Sequence, residues 1–66
     1  MRAPDIQPII GELARCIDMQ QRWAAGCVYL HEAGDDEAAR EAMREADRWR
    51  ARADAIQEFM RSRAGR

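Results

Sequence analysis

Apolar residues recur every three or four positions on both sides of one breaker segment, EAGDDEAA at residues 32–39, and this spacing strongly limits the possible folds. Such recurrence is typical of one face of an α-helix. The sequence therefore predicts an all-α chain, with a first helix over about residues 6–33, a turn at 34–35, a second helix over about 36–61 and a basic tail at 62–66. The apolar positions of the first predicted helix are Ile6, Ile9, Ile10, Leu13, Cys16, Ile17, Met19, Trp23, Ala24, Cys27, Val28 and Leu30, and those of the second are Ala39, Ala42, Ala46, Trp49, Ala53, Ile56 and Met60.

The residues at the predicted helix ends agree with this division. Pro8 fits only in the first turn of a helix, where no intrahelical N–H is needed. Gly34 suits the left-handed position that follows a helix, and Asp35 or Asp36 can cap the next one. A short link between two helices of similar length predicts an antiparallel hairpin, and 66 residues leave room for a single domain, 1–66.

The two predicted helices differ in the width of their apolar surface. At 100° per residue, the apolar arc of the first helix spans roughly 180° and that of the second roughly 100°. We expect the surplus to be covered by another protein surface, most simply a second copy that completes a four-helix bundle. The predicted dimer or partner interface comprises Ile6, Ile10, Cys16, Met19, Trp23, Cys27, Leu30 and Phe59.

A separate spot on the polar side of the first helix is a candidate contact for a protein partner. Tyr29 is an aromatic residue at a position expected to face water, and Arg22 lies on the same side. Gly26 costs roughly 1 kcal/mol inside a helix relative to Ala, which close approach of another backbone would explain. Aromatic and arginine side chains are enriched at binding hot spots. The alternative interpretation is a surface aromatic residue beside a neutral glycine.

Composition predicts a non-enzymatic protein without a cofactor. The single His has no recognisable catalytic partners, and the one Ser, Ser62, lies near the end of the chain. The first ten residues lack a secretory apolar run, and the longest apolar run, residues 23–30, cannot span a bilayer. Cys16 and Cys27 are too far apart on one helix to form a disulfide, so we expect reduced thiols in a cytoplasmic protein.

In length, Ala and Arg content, excess apolar surface and lack of catalytic residues, the chain resembles the short helical-hairpin regulators of phage and mobile-element genomes. That group includes anti-activators that bind a host transcription factor and inhibitors of defence systems. The resemblance implies a regulator or inhibitor, encoded by a phage or mobile element, that binds a host protein.

Two alternative functions involve other ligands. Arginines four apart on the second helix could follow phosphates in RNA or DNA, and the plasmid copy-number RNA-binding family has a similar helical-hairpin architecture. These residues are Arg40, Arg44, Arg48 and Arg52; acidic residues three positions before the first three favour a self-neutralised, solvated face instead. A third hypothesis is a metal or thiol sensor using Cys16, Cys27 and His31, loosely similar to helical copper-sensing repressors; the alternative is that both cysteines are only structural.

Overall fold

The computed structural model of the chain describes residues 7–64, which form two helices. Helix α1 spans Gln7–Glu32 and helix α2 spans Asp36–Ala64. They pack against each other as an antiparallel pair: Leu30 and Ala38 line one groove beside the connection, whereas Pro8 and Phe59 line another at the open end. The predicted all-α hairpin is confirmed.

The second helix extends further than the sequence analysis expected. It continues to Ala64 rather than ending near residue 61, so residues 62–64 are helical and not part of a basic tail. No breaker occurs before Gly65, and Arg61 and Arg63 in the last turn favour the negative end of the helix dipole. At the other terminus, Pro8 is the second residue of α1, as predicted.

The connection between the helices combines a C-terminal and an N-terminal cap. Gly34 has φ of 85°, and its N–H donates to the carbonyl of His31 at 3.0 Å. The N–H of Asp35 donates to the carbonyl of Leu30 at 2.9 Å, which completes a Schellman motif. The Asp35 carboxylate then accepts from the N–H of Ala38 at 3.1 Å. Of the two candidate caps, Asp35 is therefore the one that begins α2.

The core is a narrow seam made mainly of small side chains. Cys16 of α1 is completely buried. Opposite it, α2 contributes four alanines that are each at most 5% exposed: Ala39, Ala42, Ala46 and Ala53. Because alanine has no atom beyond Cβ, the helix backbones can approach closely along this seam.

The ion pair between Arg52 and Glu12 joins the two helices beside the seam. The Arg52 guanidinium lies 2.9 Å from the Glu12 carboxylate, and the Arg52 side chain also stacks over the Trp49 ring at 5.7 Å. Since the Arg52 side chain remains 60% exposed, the pair contributes at most about 1 kcal/mol to stability. The hairpin is therefore held chiefly by its seam.

Candidate interaction surfaces

Exposed apolar residues lie along one side of the hairpin and are not covered by either helix. Its exposed members on α1 are Ile10, Ile17 and Val28, of which Val28 is 57% exposed. Met43 of α2 is also exposed and lies near Cys27 on the same side. We call these four residues the isoleucine face.

The isoleucine face follows from a second periodic pattern in α1. Ile10, Ala14, Ile17, Gln21, Ala24 and Val28 recur at alternating intervals of four and three residues. At 100° per residue this stripe is centred about 120° from Cys16, which lies in the seam. One partner helix cannot cover two stripes so far apart, so the second stripe remains exposed.

The structure corrects the predicted interface at Cys16. This residue was expected on the exposed flank of α1, but it is 0% exposed and therefore offers no surface to another chain. Its Sγ lies 3.9 Å from the Glu12 Oε1 atom, which also pairs with Arg52. Ile9, Leu13 and Cys16 recur at intervals of four and three residues. They lie along the centre of the α1 surface that faces α2, which explains why Cys16 is buried.

The other predicted interface residues fall into separate environments. Ile10 is on the isoleucine face, whereas Met19, Cys27 and Leu30 are half-buried. Trp23 is partly exposed beside the seam, and Ile6 lies outside the described residues. The outward position of Ile17 and Val28 was not predicted, although the sequence contains their heptad-like spacing with Ile10.

Trp23 and Leu30 line a groove near the connection, but charged side chains form much of its wall. Glu41, Glu45 and Arg48 line the same groove, which has a volume of about 640 Å³. The Arg48 guanidinium lies 3.0 Å from the Glu45 carboxylate. This flank is therefore less apolar than the isoleucine face.

Phe59 lies at the open end of the hairpin, in a second groove with almost entirely apolar walls. We call it the Phe59 groove; its volume is about 390 Å³ and its lining residues are Pro8, Ile9, Glu12, Arg52, Ala55, Ile56 and Phe59. On α1, Glu12 and Ile10 lie about 160° apart around the helix, which places this groove and the isoleucine face on different sides of the hairpin. Phe59 and Ile10 therefore do not belong to one interface.

The four arginines proposed for nucleic acid do not form one stripe. Each step of four residues turns the side chain by about 40°, so Arg40 and Arg52 are about 120° apart on α2. Arg40 lies beside Met43 and Cys27, whereas Arg44 and Arg48 line the groove on the opposite side. This prediction was wrong about the geometry.

Three of these arginines also have carboxylate partners. Arg44 lies 3.9 Å from Glu41, Arg48 lies 3.0 Å from Glu45, and Arg52 lies 2.9 Å from Glu12. Within residues 7–64, Arg40 has no such ion pair. The arrangement favours a largely self-neutralised surface over a phosphate-binding track.

The residues proposed as a metal or thiol sensor are separated in the structure. Cys27 and His31 line a groove of about 430 Å³ together with Asp36, and the His31 Nδ1 atom lies 3.2 Å from the Asp36 carboxylate. Cys16 is buried in the seam instead. Across the part of the chain that the structure describes, no three His, Cys, Asp or Glu side chains are grouped so that they could hold a metal ion.

The candidate partner spot on the polar side of α1 is exposed as predicted. Tyr29 is 73% exposed, and the Arg22 guanidinium lies 2.9 Å from the Asp18 carboxylate one turn earlier. A methyl group placed on Gly26 would meet nothing within 4 Å apart from the backbone of its own helix turn. No backbone within the hairpin approaches Gly26, so packing between the two helices does not explain this glycine.

Neither helix within residues 7–64 has the length and the apolar character needed to cross a membrane. A comparison of the chain with known protein families, curated proteins and solved structures finds no match.

Proposed function

We propose that this chain is a non-enzymatic protein-interaction module that dimerises through its isoleucine face into a four-helix bundle and regulates a second, host protein in the cytoplasm. The observation that carries the proposal is the exposed stripe of Ile10, Ile17 and Val28 beside an already complete hairpin seam. Water is an unfavourable environment for a contiguous apolar surface of this kind, and such surfaces mark protein interfaces.

The total exposed area supports a second chain as the cover. The chain exposes 5499 Å². A compact monomer of 7.6 kDa exposes only about 4,300 Å². The excess of roughly 1,200 Å² is larger than the approximately 800 Å² that each partner buries in a standard interface.

The stripe has a composition suited to pairing with itself. Large Ile10, Ile17 and Val28 are separated by small Ala14 and Ala24 and by the uncharged Gln21, so a two-fold axis lets the large side chains of one copy fit beside the alanines of the other. The stripe contains no charged residue, so two copies meet without repulsion between like charges. The resulting bundle would place α1 at its centre.

Light scattering with chromatography at micromolar concentration tests the dimer. We expect twice the 7.6 kDa chain mass for the wild type. Ile17→Glu and Val28→Glu each put a charge on the isoleucine face and should give monomers. Arg15→Glu also introduces a carboxylate on exposed α1 surface, but about 140° around the helix from the centre of the stripe, and should remain dimeric. Circular dichroism checks that every variant stays helical, and a wild-type monomer would refute the proposed dimer.

A substitution on the polar side of α1 tests the proposed regulatory role. The resemblance to phage and mobile-element regulators supports a host protein as target, such as a transcription factor or a defence component. The exposed Tyr29 and nearby Arg22 are the contacts we assign to it. Affinity capture from the host should recover a specific protein that Tyr29→Ala loses while it remains dimeric. Equal recovery by wild type and Tyr29→Ala would exclude this spot.

A further inference from the structure

We propose that the Phe59 groove binds an acidic amphipathic helix of a partner protein, which inserts bulky apolar side chains between α1 and α2. This inference rests on the proposed role in protein interaction and adds the chemistry of the partner. The groove lies away from the isoleucine face, so its occupation and dimerisation are independent.

The shape and walls of the groove select an apolar occupant. Its volume of about 390 Å³ is within the range of pockets that hold ligand groups. Pro8, Ile9, Ala55 and Ile56 form the walls, and Phe59 is 48% exposed at one edge. Large aliphatic or aromatic side chains would gain from leaving water here.

The polar groups of the lining are already paired. Glu12 accepts the guanidinium of Arg52 at 2.9 Å, so its negative charge is compensated and presents no free carboxylate to an incoming chain. Among residues 7–64, only Glu12 and Arg52 contribute charge to the lining. The interior therefore offers no reason for a polar or cationic group to enter.

The rim is positively charged and selects the sign of the partner. The Arg63 guanidinium lies 5.6 Å from the centre of the Phe59 ring. Within residues 7–64 no carboxylate pairs with Arg63, whereas Arg61 pairs with Glu58 at 2.9 Å. A carboxylate on the partner would complement the charge of Arg63.

A helix is the partner structure that matches the groove between two helices. An amphipathic helix presents apolar anchors at intervals of three and four residues and can carry acidic residues at its margins. The anchors would enter beside Phe59 while a marginal carboxylate reaches Arg63. In such a complex one helix would contact both the apolar walls of the groove and the Arg63 guanidinium at its rim.

Two synthetic peptides of about four helical turns provide the probes. Both carry Leu anchors at positions i, i+3 and i+7, and the marginal positions are Glu in one peptide and Lys in the other. Fluorescence anisotropy with the full chain should show binding of the Glu peptide that weakens as salt increases. The Lys peptide should bind at least tenfold more weakly.

Two pairs of variants locate the binding. Ala55→Phe fills the groove and should abolish binding, whereas Gln57→Phe, at an exposed position about 160° around the same helix, should leave it unchanged. Arg63→Glu should weaken binding roughly fivefold, as expected for loss of an exposed ion pair. Arg40→Glu makes the same charge change away from the groove and is the control.

Three outcomes would overturn the proposal: no binding of the Glu peptide at millimolar concentration, equal binding of both peptides, or unchanged binding by Ala55→Phe. Measurements with the Val28→Glu variant separate this inference from the proposed dimer. If the monomeric variant still binds the Glu peptide, the proposed groove site is supported. If the wild type is itself a monomer and binds the peptide, only the proposed dimer is refuted.

Discussion

Replacement of Ala42 by leucine provides a direct test of the alanine seam. Ala42 is 2% exposed and lies at the floor of the groove that Trp23 and Leu30 line, so its side chain is in contact with α1. Leucine adds three carbon atoms, which separate the helices unless the side chain takes a strained rotamer to reach that groove. Overpacking of this kind costs about 1–3 kcal/mol.

The matched control is Ala51→Leu on the same helix. Ala51 is exposed, and leucine is nearly as good a helix former as alanine, so the free energy of unfolding should change by no more than about 0.5 kcal/mol. In a domain of this size each 1 kcal/mol shifts Tm by roughly 4–8 °C. We therefore expect Ala42→Leu to lower Tm by about 5–20 °C and Ala51→Leu to leave it almost unchanged.

The assay is thermal unfolding followed by circular dichroism at one fixed protein concentration, because association makes Tm concentration-dependent. Equal Tm values for Ala42→Leu and Ala51→Leu would refute close packing at the seam. A higher Tm for Ala42→Leu would show that a cavity, rather than close contact, surrounds this position.

Three further predictions concern the connection and the small residues of α1. Removal of the cap by Asp35→Ala should lower the free energy of unfolding by about 1 kcal/mol in urea titrations, and an unchanged midpoint would exclude the cap. Gly26→Ala should raise the free energy of unfolding by about 1 kcal/mol, because the added methyl group meets open space and alanine is the better helix former. Gly34→Ala should lower the free energy of unfolding by about 1–2 kcal/mol, because Gly34 has a positive φ. Changes of the same sign for the two variants would contradict this. In the folded protein iodoacetamide should alkylate Cys27 quickly and Cys16 only at the rate of unfolding, so similar rates for both would contradict the burial of Cys16.

The hairpin was predictable because its determinants are local. The spacing of apolar residues defines each helix, and Gly34 and Asp35 define the connection through backbone conformation and capping. The end of α2 was less predictable. Met60 is the last apolar residue of the pattern, but a helix ends where capping or a breaker ends it, and residues 61–64 contain neither.

The interaction surfaces were only partly predictable because a wide apolar arc does not show which portion faces the neighbouring helix. That choice depends on the side chains of α2. Since Ala42 and Ala46 reach only a short distance, α2 covers a narrow strip of α1 centred near Cys16. Ile17 and Val28 then lie beyond its reach, although the sequence analysis placed Cys16 on the exposed flank.

The alanine seam also explains why apolar surface remains on two sides of the hairpin. Small residues allow the helices to approach, but they leave the larger side chains at the margins uncovered. The two margins differ in charge, and this difference indicates the kind of partner that each can accept. A symmetric interface brings every group near its own copy, so the uncharged stripe containing Ile10, Ile17 and Val28 suits self-association. The Phe59 groove cannot face itself without bringing Arg63 of both copies together, and it therefore suits a different, acidic chain.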